Sequence, residues 1–173
     1  MIVDFFTYLL KFIGIALLQV LVVNNITLST YINPYIYISF ILLLPVTTKP
    51  WHLLLIAFLT GAVIDTFGST PGLHIAATVF MAYVRIHYLR IATTKEDIEG
   101  HAVPNMSKKG VVWFVIYCFL MTFAHHTILF FLEIYRFSEF LTTLSRVVLS
   151  TLVTVLMIVV GQLLFYTTKS KHE

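Results

Sequence analysis

Residues 61–74, GAVIDTFGSTPGLH, set a single carboxylate among glycines and apolar side chains. Gly61, Gly68, Pro71 and Gly72 bracket Asp65. Glycine admits backbone conformations closed to other residues, and proline cannot continue a helix. A hydrophobic helix must therefore end here, turn tightly and pass into another. Asp65 is also the one acid between Lys11 and Arg90. A carboxylate beside hydrocarbon is costly, so it is expected to face the protein interior with a partner, or to reach interfacial water from a helix end.

The rest of the chain explains why hydrocarbon is the expected surrounding. Hydrophobic residues make up 59% and charged residues 11%, with a mean hydropathy of +0.93, whereas globular domains are roughly half apolar and about a quarter charged. No charged residue occurs from Phe12 to Thr48 or from Val147 to Thr168. This is the composition of an all-α integral membrane protein, with no room for a sizeable water-facing domain. The formal net charge of +3 comes from a few Lys and Arg near expected helix ends, which fits membrane topology and argues against a nucleic-acid surface. The single cysteine, Cys118, lies in an apolar run and can form no intrachain disulfide.

Outward from the turn, the chain reads as a single domain, 1–173, a bundle of six transmembrane helices with short loops. The expected spans are 5–23, 31–46, 51–67, 72–91, 111–133 and 140–166. The first carries Lys11, expected to snorkel, and is retained rather than cleaved, because VLVVNNI at 20–26 offers no small-x-small site. Pro34 and Pro45 close the second to about a dozen apolar residues, short for a crossing, so a re-entrant or deeply buried helix is the alternative. Trp51 opens the third span and places Asp65 roughly 21 Å along it. Arg85, His87 and Arg90 fall in the last turns of the fourth, where cations complement the helix dipole. TTKEDIEGHAVPNMSKK at 93–109 is the one long polar loop, read as a linker. With six crossings, Lys49, the 90–109 cations, Lys169 and Lys171 share one side and Arg136 the other, so both termini are expected in the cytoplasm and Asp65 toward the outside.

Asp65, His74, His125, His126, Glu133 and Arg146 then fall in the outer half. Arg146 lies about 9 Å into the last span, at a depth similar to Asp65, and an Asp65–Arg146 ion pair is expected to neutralise both. A polar core of Asp65, Arg146, His74 and His125 follows, with Gly61, Gly68, Pro71 and Gly72 shaping the helix turn. No metal is expected, since adjacent histidines on a helix point about 100° apart and no HExxH or cysteine pair is present. Catalysis and cofactors are not expected either: the chain has no GxSxG, no glycine-rich phosphate loop and no second acid near Asp65, and its aromatics are dispersed through the spans.

Four stretches carry a resemblance: NPYIYISFILLLP at 33–45, GAVIDTFGSTPGLHIAA at 61–77, HHTILFFLE at 125–133 and RVVLSTLVTVL at 146–156. In this order, over nearly the whole chain, they resemble the rod shape-determining MreD family of Bacteroidetes-like bacteria. The resemblance implies a non-enzymatic inner-membrane scaffold of the cell-elongation (Rod) complex, acting in cell shape and lateral peptidoglycan synthesis. Its implied partners are MreC, the actin-like MreB, RodA, a class B penicillin-binding transpeptidase and membrane lipids. That family is similar in architecture to the substrate-binding subunits of energy-coupling factor vitamin transporters, which supplies an alternative function. Their Ala-x-x-x-Ala docking motif is absent from GIALLQVLV at 14–22. A third reading is a lipid-modifying enzyme using Asp65 and a nearby histidine as an acid–base pair.

Overall fold

A computed structural model describes residues 2–26, 32–134 and 139–169, and side chains within 6–164. Tyr31, Arg136 and Lys171, on which parts of the span and charge reading fall, lie outside the described residues. The elements are α1 (Ile2–Leu17), continued by a π-helical turn Leu18–Val22 and a 3-10 turn Val23–Asn25, then α2 (Ile38–Leu42), α3 (Pro50–Gly68) and α4 (Leu73–Ala92). Two short helices, α5 (Lys95–Glu99) and α6 (Met106–Lys109), precede α7 (Val111–Ile134) and α8 (Phe140–Lys169).

The described chain is helical, and five of its helices are long and apolar enough to cross a membrane. A sixth membrane-length helix is not found among the described residues: the described part of segment 31–46 holds only α2, five residues long, or about 7.5 Å of helix. Pro34 and Pro45 account for the shortness, since a residue before proline is driven out of the helical region and proline lacks the N–H that a continuing helix needs. Residues 33–46 instead pass through the bundle interior. They start beside Ser150 of α8, run past His74 and His125, and end where the Val46 N–H donates to Ala102 O at 3.0 Å.

Contacts along the helices show them alternating in direction. His74 lies by His125 and Tyr88 by Trp113, so α4 and α7 are antiparallel. Phe131 meets Phe140 while Thr154 meets His126, so α7 and α8 are antiparallel as well. Lys49, Arg90 and the 93–110 connection therefore gather at one end of the bundle, opposite the 69–72 turn. That connection is more than a linker: Thr94 and Asp97 cap α5 reciprocally, and Asn105 caps α6. The core, formed by residues such as Ile38, Ile41, Leu42, Leu53, Met81, Phe114 and Met121, packs α3, α4 and α7 around the broken segment.

Candidate functional site

The turn at 69–72 shows what Asp65 does. Ser69 takes the left-handed conformation that ends α3 (φ 53°), and Gly72 takes it again at the start of α4 (φ 85°). Gly68 remains inside the helix, so the serine rather than the glycine forms the left-handed cap. A new helix leaves its first N–H groups unpaired, and here Asp65 takes most of them. Its Oδ1 accepts from the His74 N–H at 3.0 Å and from Thr70 Oγ1 at 2.9 Å. Its Oδ2 accepts from Gly72 N–H at 3.1 Å and Ile75 N–H at 3.0 Å. The Leu73 N–H donates to Thr70 O, and Ala76 N–H to Gly72 O. Every N–H from Gly72 to Ala76 is satisfied, and a negative group sits at the positive end of the helix dipole.

Asp65 is thus a cap supplied by the preceding helix, 6% exposed. The expected Asp65–Arg146 pair is not formed. Arg146 instead makes a two-pronged contact with Glu133, Nη1 to Oε2 at 3.0 Å and Nη2 to Oε1 at 3.2 Å. Its guanidinium lies 4.3 Å from the Phe130 ring centroid. With its amide oxygen facing that guanidinium, Asn33 accepts from Arg146 Nε at 3.2 Å and Nη2 at 2.8 Å. Equal depth along two helices does not bring two side chains together when they point to different neighbours. Asp65 points across the turn, where donors of its own hairpin are nearer.

Gly61 has a role its sequence position does not announce. A Cβ there would stand 2.6 Å from Ile75 Cα and 2.6 Å from Thr78 Oγ1, so the bare glycine lets α3 and α4 touch. Thr78 Oγ1 also donates to Ala57 O at 3.0 Å across the same seam. At Gly72 the constraint is different: the space is open but the positive φ disfavours any side chain. Pro71 lies between the two left-handed residues.

The second cluster surrounds the broken segment. Tyr37 hydroxyl bridges His74 Nδ1 at 2.9 Å and His125 Nε2 at 2.7 Å. One hydroxyl proton can serve only one ring, so the hydroxyl donates to one imidazole and accepts from the other, and the two tautomers are tied together. His126 Nδ1 faces the Thr122 carbonyl at 2.8 Å and must be the protonated nitrogen. Its Nε2 then accepts from Thr154 Oγ1 at 3.4 Å, and that oxygen accepts from the Tyr35 N–H at 3.1 Å. Tyr35 lies edge-on to His74, with ring centroids 5.0 Å apart. His125 Nδ1 is buried with no hydrogen-bond partner among the described residues.

The sequence singled out His74 and His125 but missed the groups that organise them. Gln19, in the π-turn of α1, donates to Pro34 O at 3.1 Å and accepts from the Tyr37 N–H at 3.3 Å. Ser150 accepts from Asn33 N–H at 3.0 Å. At the opposite end of the segment, Tyr117 hydroxyl donates to Leu42 O at 3.0 Å, and Arg85 donates from Nη2 to Leu44 O and from Nε to Tyr117 at 2.8 Å. The sequence pattern sets Arg85 among the cations of a helix end, yet it is 2% exposed and works in the core. A signal was present, since Arg85 stands seven positions before Ala92, about 10 Å short of the helix end. Lys11, by contrast, is exposed and lies over Tyr8, 5.4 Å from its ring.

Chemically, these groups are absorbed by the fold. The Asp65 carboxylate bonds the backbone N–H of His74, while the His74 ring bonds Tyr37, so the acid and the imidazole are not engaged with each other as an acid–base pair. Among the described residues, no group of three His, Cys, Asp or Glu side chains is placed to hold a metal. The chain matches no family model, no curated protein and no solved structure.

Proposed function

We propose that this protein is a non-enzymatic scaffold of the bacterial cell-elongation complex, similar to MreD, that lies in the inner membrane and binds MreC. Both termini and the 93–110 connection face the cytoplasm in this reading. MreB, RodA and a class B penicillin-binding transpeptidase are partners in the same assembly. The observation that carries the proposal is the fate of Asp65. The stretch with the most specific resemblance, 61–77, puts its one acid wholly into capping α4, which suits a part whose task is to hold shape. The filling of the bundle by residues 33–46 supports the same reading over a vitamin-binding subunit, which needs that interior for a ligand.

Affinity capture of the full chain from native membranes tests it. MreC is expected to co-purify, and Gly72→Leu is expected to lose both MreC and cell elongation. A variant that cannot bind MreC yet restores rod shape after depletion would overturn the scaffold reading, and stoichiometric bound vitamin would replace it with the transporter subunit.

A further inference from the structure

At the cationic end of the bundle, the start of α3, the last turns of α4, residues 46–49 and α5 enclose a cavity of about 310 Å³. Its lining includes Lys49, Arg85 and Arg90, together with Thr47, Thr48 and Ile98, and contains no Asp or Glu. Lys49 and Arg90 are exposed, whereas Arg85 is 2% exposed. A buried guanidinium normally has a counter-charge. Arg85 has none among the described residues: its partners are the Tyr117 hydroxyl and the Leu44 carbonyl. The acids of α5 do not supply one: Asp97 is paired with Lys109, and the exposed Glu96 and Glu99 do not line the cavity.

The start of α3 adds to the same field. Its N-cap, Lys49, makes no side-chain cap and Pro50 follows at the first position, so the first N–H groups of a 19-residue helix lack a protein acceptor from the cap. Such an end favours an anion. Thr47, Thr48 and Thr93 and the apolar side chains of Leu53 and Leu89 line the rest of the pocket.

We propose that this cavity binds a phosphate-bearing anion, the headgroup of an anionic phospholipid from the adjoining leaflet. Three cations and a helix N-terminus provide the recognition, and the compensation of Arg85 provides the reason for the site. Basic pockets between helices at the cytoplasmic face suit such headgroups. A soluble phosphate ester shares the chemistry and is separated by the test. The proposal shares the cytoplasmic orientation of this end with the scaffold reading but does not rest on the scaffold function.

The test uses native mass spectrometry on the full chain taken from mixed phosphatidylglycerol and phosphatidylcholine nanodiscs. Wild type is expected to retain phosphatidylglycerol selectively. Lys49→Gln with Arg90→Gln, both at exposed positions, is expected to weaken that retention about thirtyfold, roughly fivefold per cation. Lys108→Gln, an exposed cation outside the cavity, is expected to leave it unchanged. Equal retention of the two lipids, or equal phosphatidylglycerol binding by wild type and the double variant, would overturn the proposal. Displacement of the lipid by millimolar glycerol 3-phosphate would retain the anion site and overturn the lipid as its source.

Discussion

The 65–76 turn and the 33–46 segment solve the same problem by opposite means. Both leave backbone groups without partners in a continuous helix, the segment inside the bundle and the turn at its end. At the turn, the partners come from within about ten positions: Asp65, Thr70 and Gly72 complete the first turn of α4. In the segment, the partners come from distant helices: Gln19 of α1, Arg85 of α4, Tyr117 of α7, and Ser150 and Thr154 of α8. A local device is rebuilt wherever the hairpin forms. A distributed one exists only when the whole bundle has assembled, so it ties the helices to one another.

The largest effect is therefore expected where the distributed device is cut. Arg85→Ala removes one of the largest fully buried side chains and leaves the Leu44 carbonyl without its donor. A loss of about 3–5 kcal/mol is expected, combining cavity and unpaired-group costs, and it should show in the detergent melting temperature and folded yield. Loss under about 1 kcal/mol would mean the segment holds without its guanidinium.

Cutting the local device should cost less. Asp65→Ala strands four donors around α4 and is expected to cost about 2–4 kcal/mol, with Asp65→Asn roughly halfway because the amide oxygen still accepts. Gly61→Ala and Gly72→Ala should separate by cause: the first forces α3 from α4, about 1–3 kcal/mol, and the second strains φ, about 1–2 kcal/mol. A melt series over the four variants checks the order. In a double-mutant cycle, Asp65→Ala and Arg146→Ala should add to within about 0.5 kcal/mol, as sites without a shared partner do. A larger coupling would restore the ion pair.

How much of this could be read in the sequence follows from the same contrast. The turn was legible: glycines, a proline and a lone acid lie side by side, and all of them act on neighbours. The partner of Asp65 was misread because helix depth alone says nothing about azimuth. Of segment 33–46, the prolines revealed that it was too short to cross as a helix. Its supports were invisible, since Gln19, Tyr117 and Thr154 are ordinary residues for their spans and acquire a role only through tertiary contact. Arg85 looked like an interfacial cation because its charge suits a helix C-terminus.

The smallest effect belongs to the polar connection. Lys109 and the Thr94 N–H hold the Asp97 carboxyl down to about 2, from an ordinary value of 3.8. A lowered folded-state value means the stabilisation is full above about 4 and is lost as pH falls toward 2. Amide protection in residues 94–100, measured against the intrinsic exchange rate at each pH, should fall over that window, and Asp97→Asn should abolish the dependence.

Hydrogen exchange across residues 33–46, in the full chain held in nanodiscs, tests the distributed device most directly. The amides of Asn33, Tyr35, Tyr37 and Val46 are expected to be protected to a degree comparable with α4, and to lose that protection together when Arg85 or Gln19 is replaced by Ala. Exchange in wild type as fast as in residues 99–105 would contradict the claim that this irregular segment is fastened by side chains of the surrounding helices.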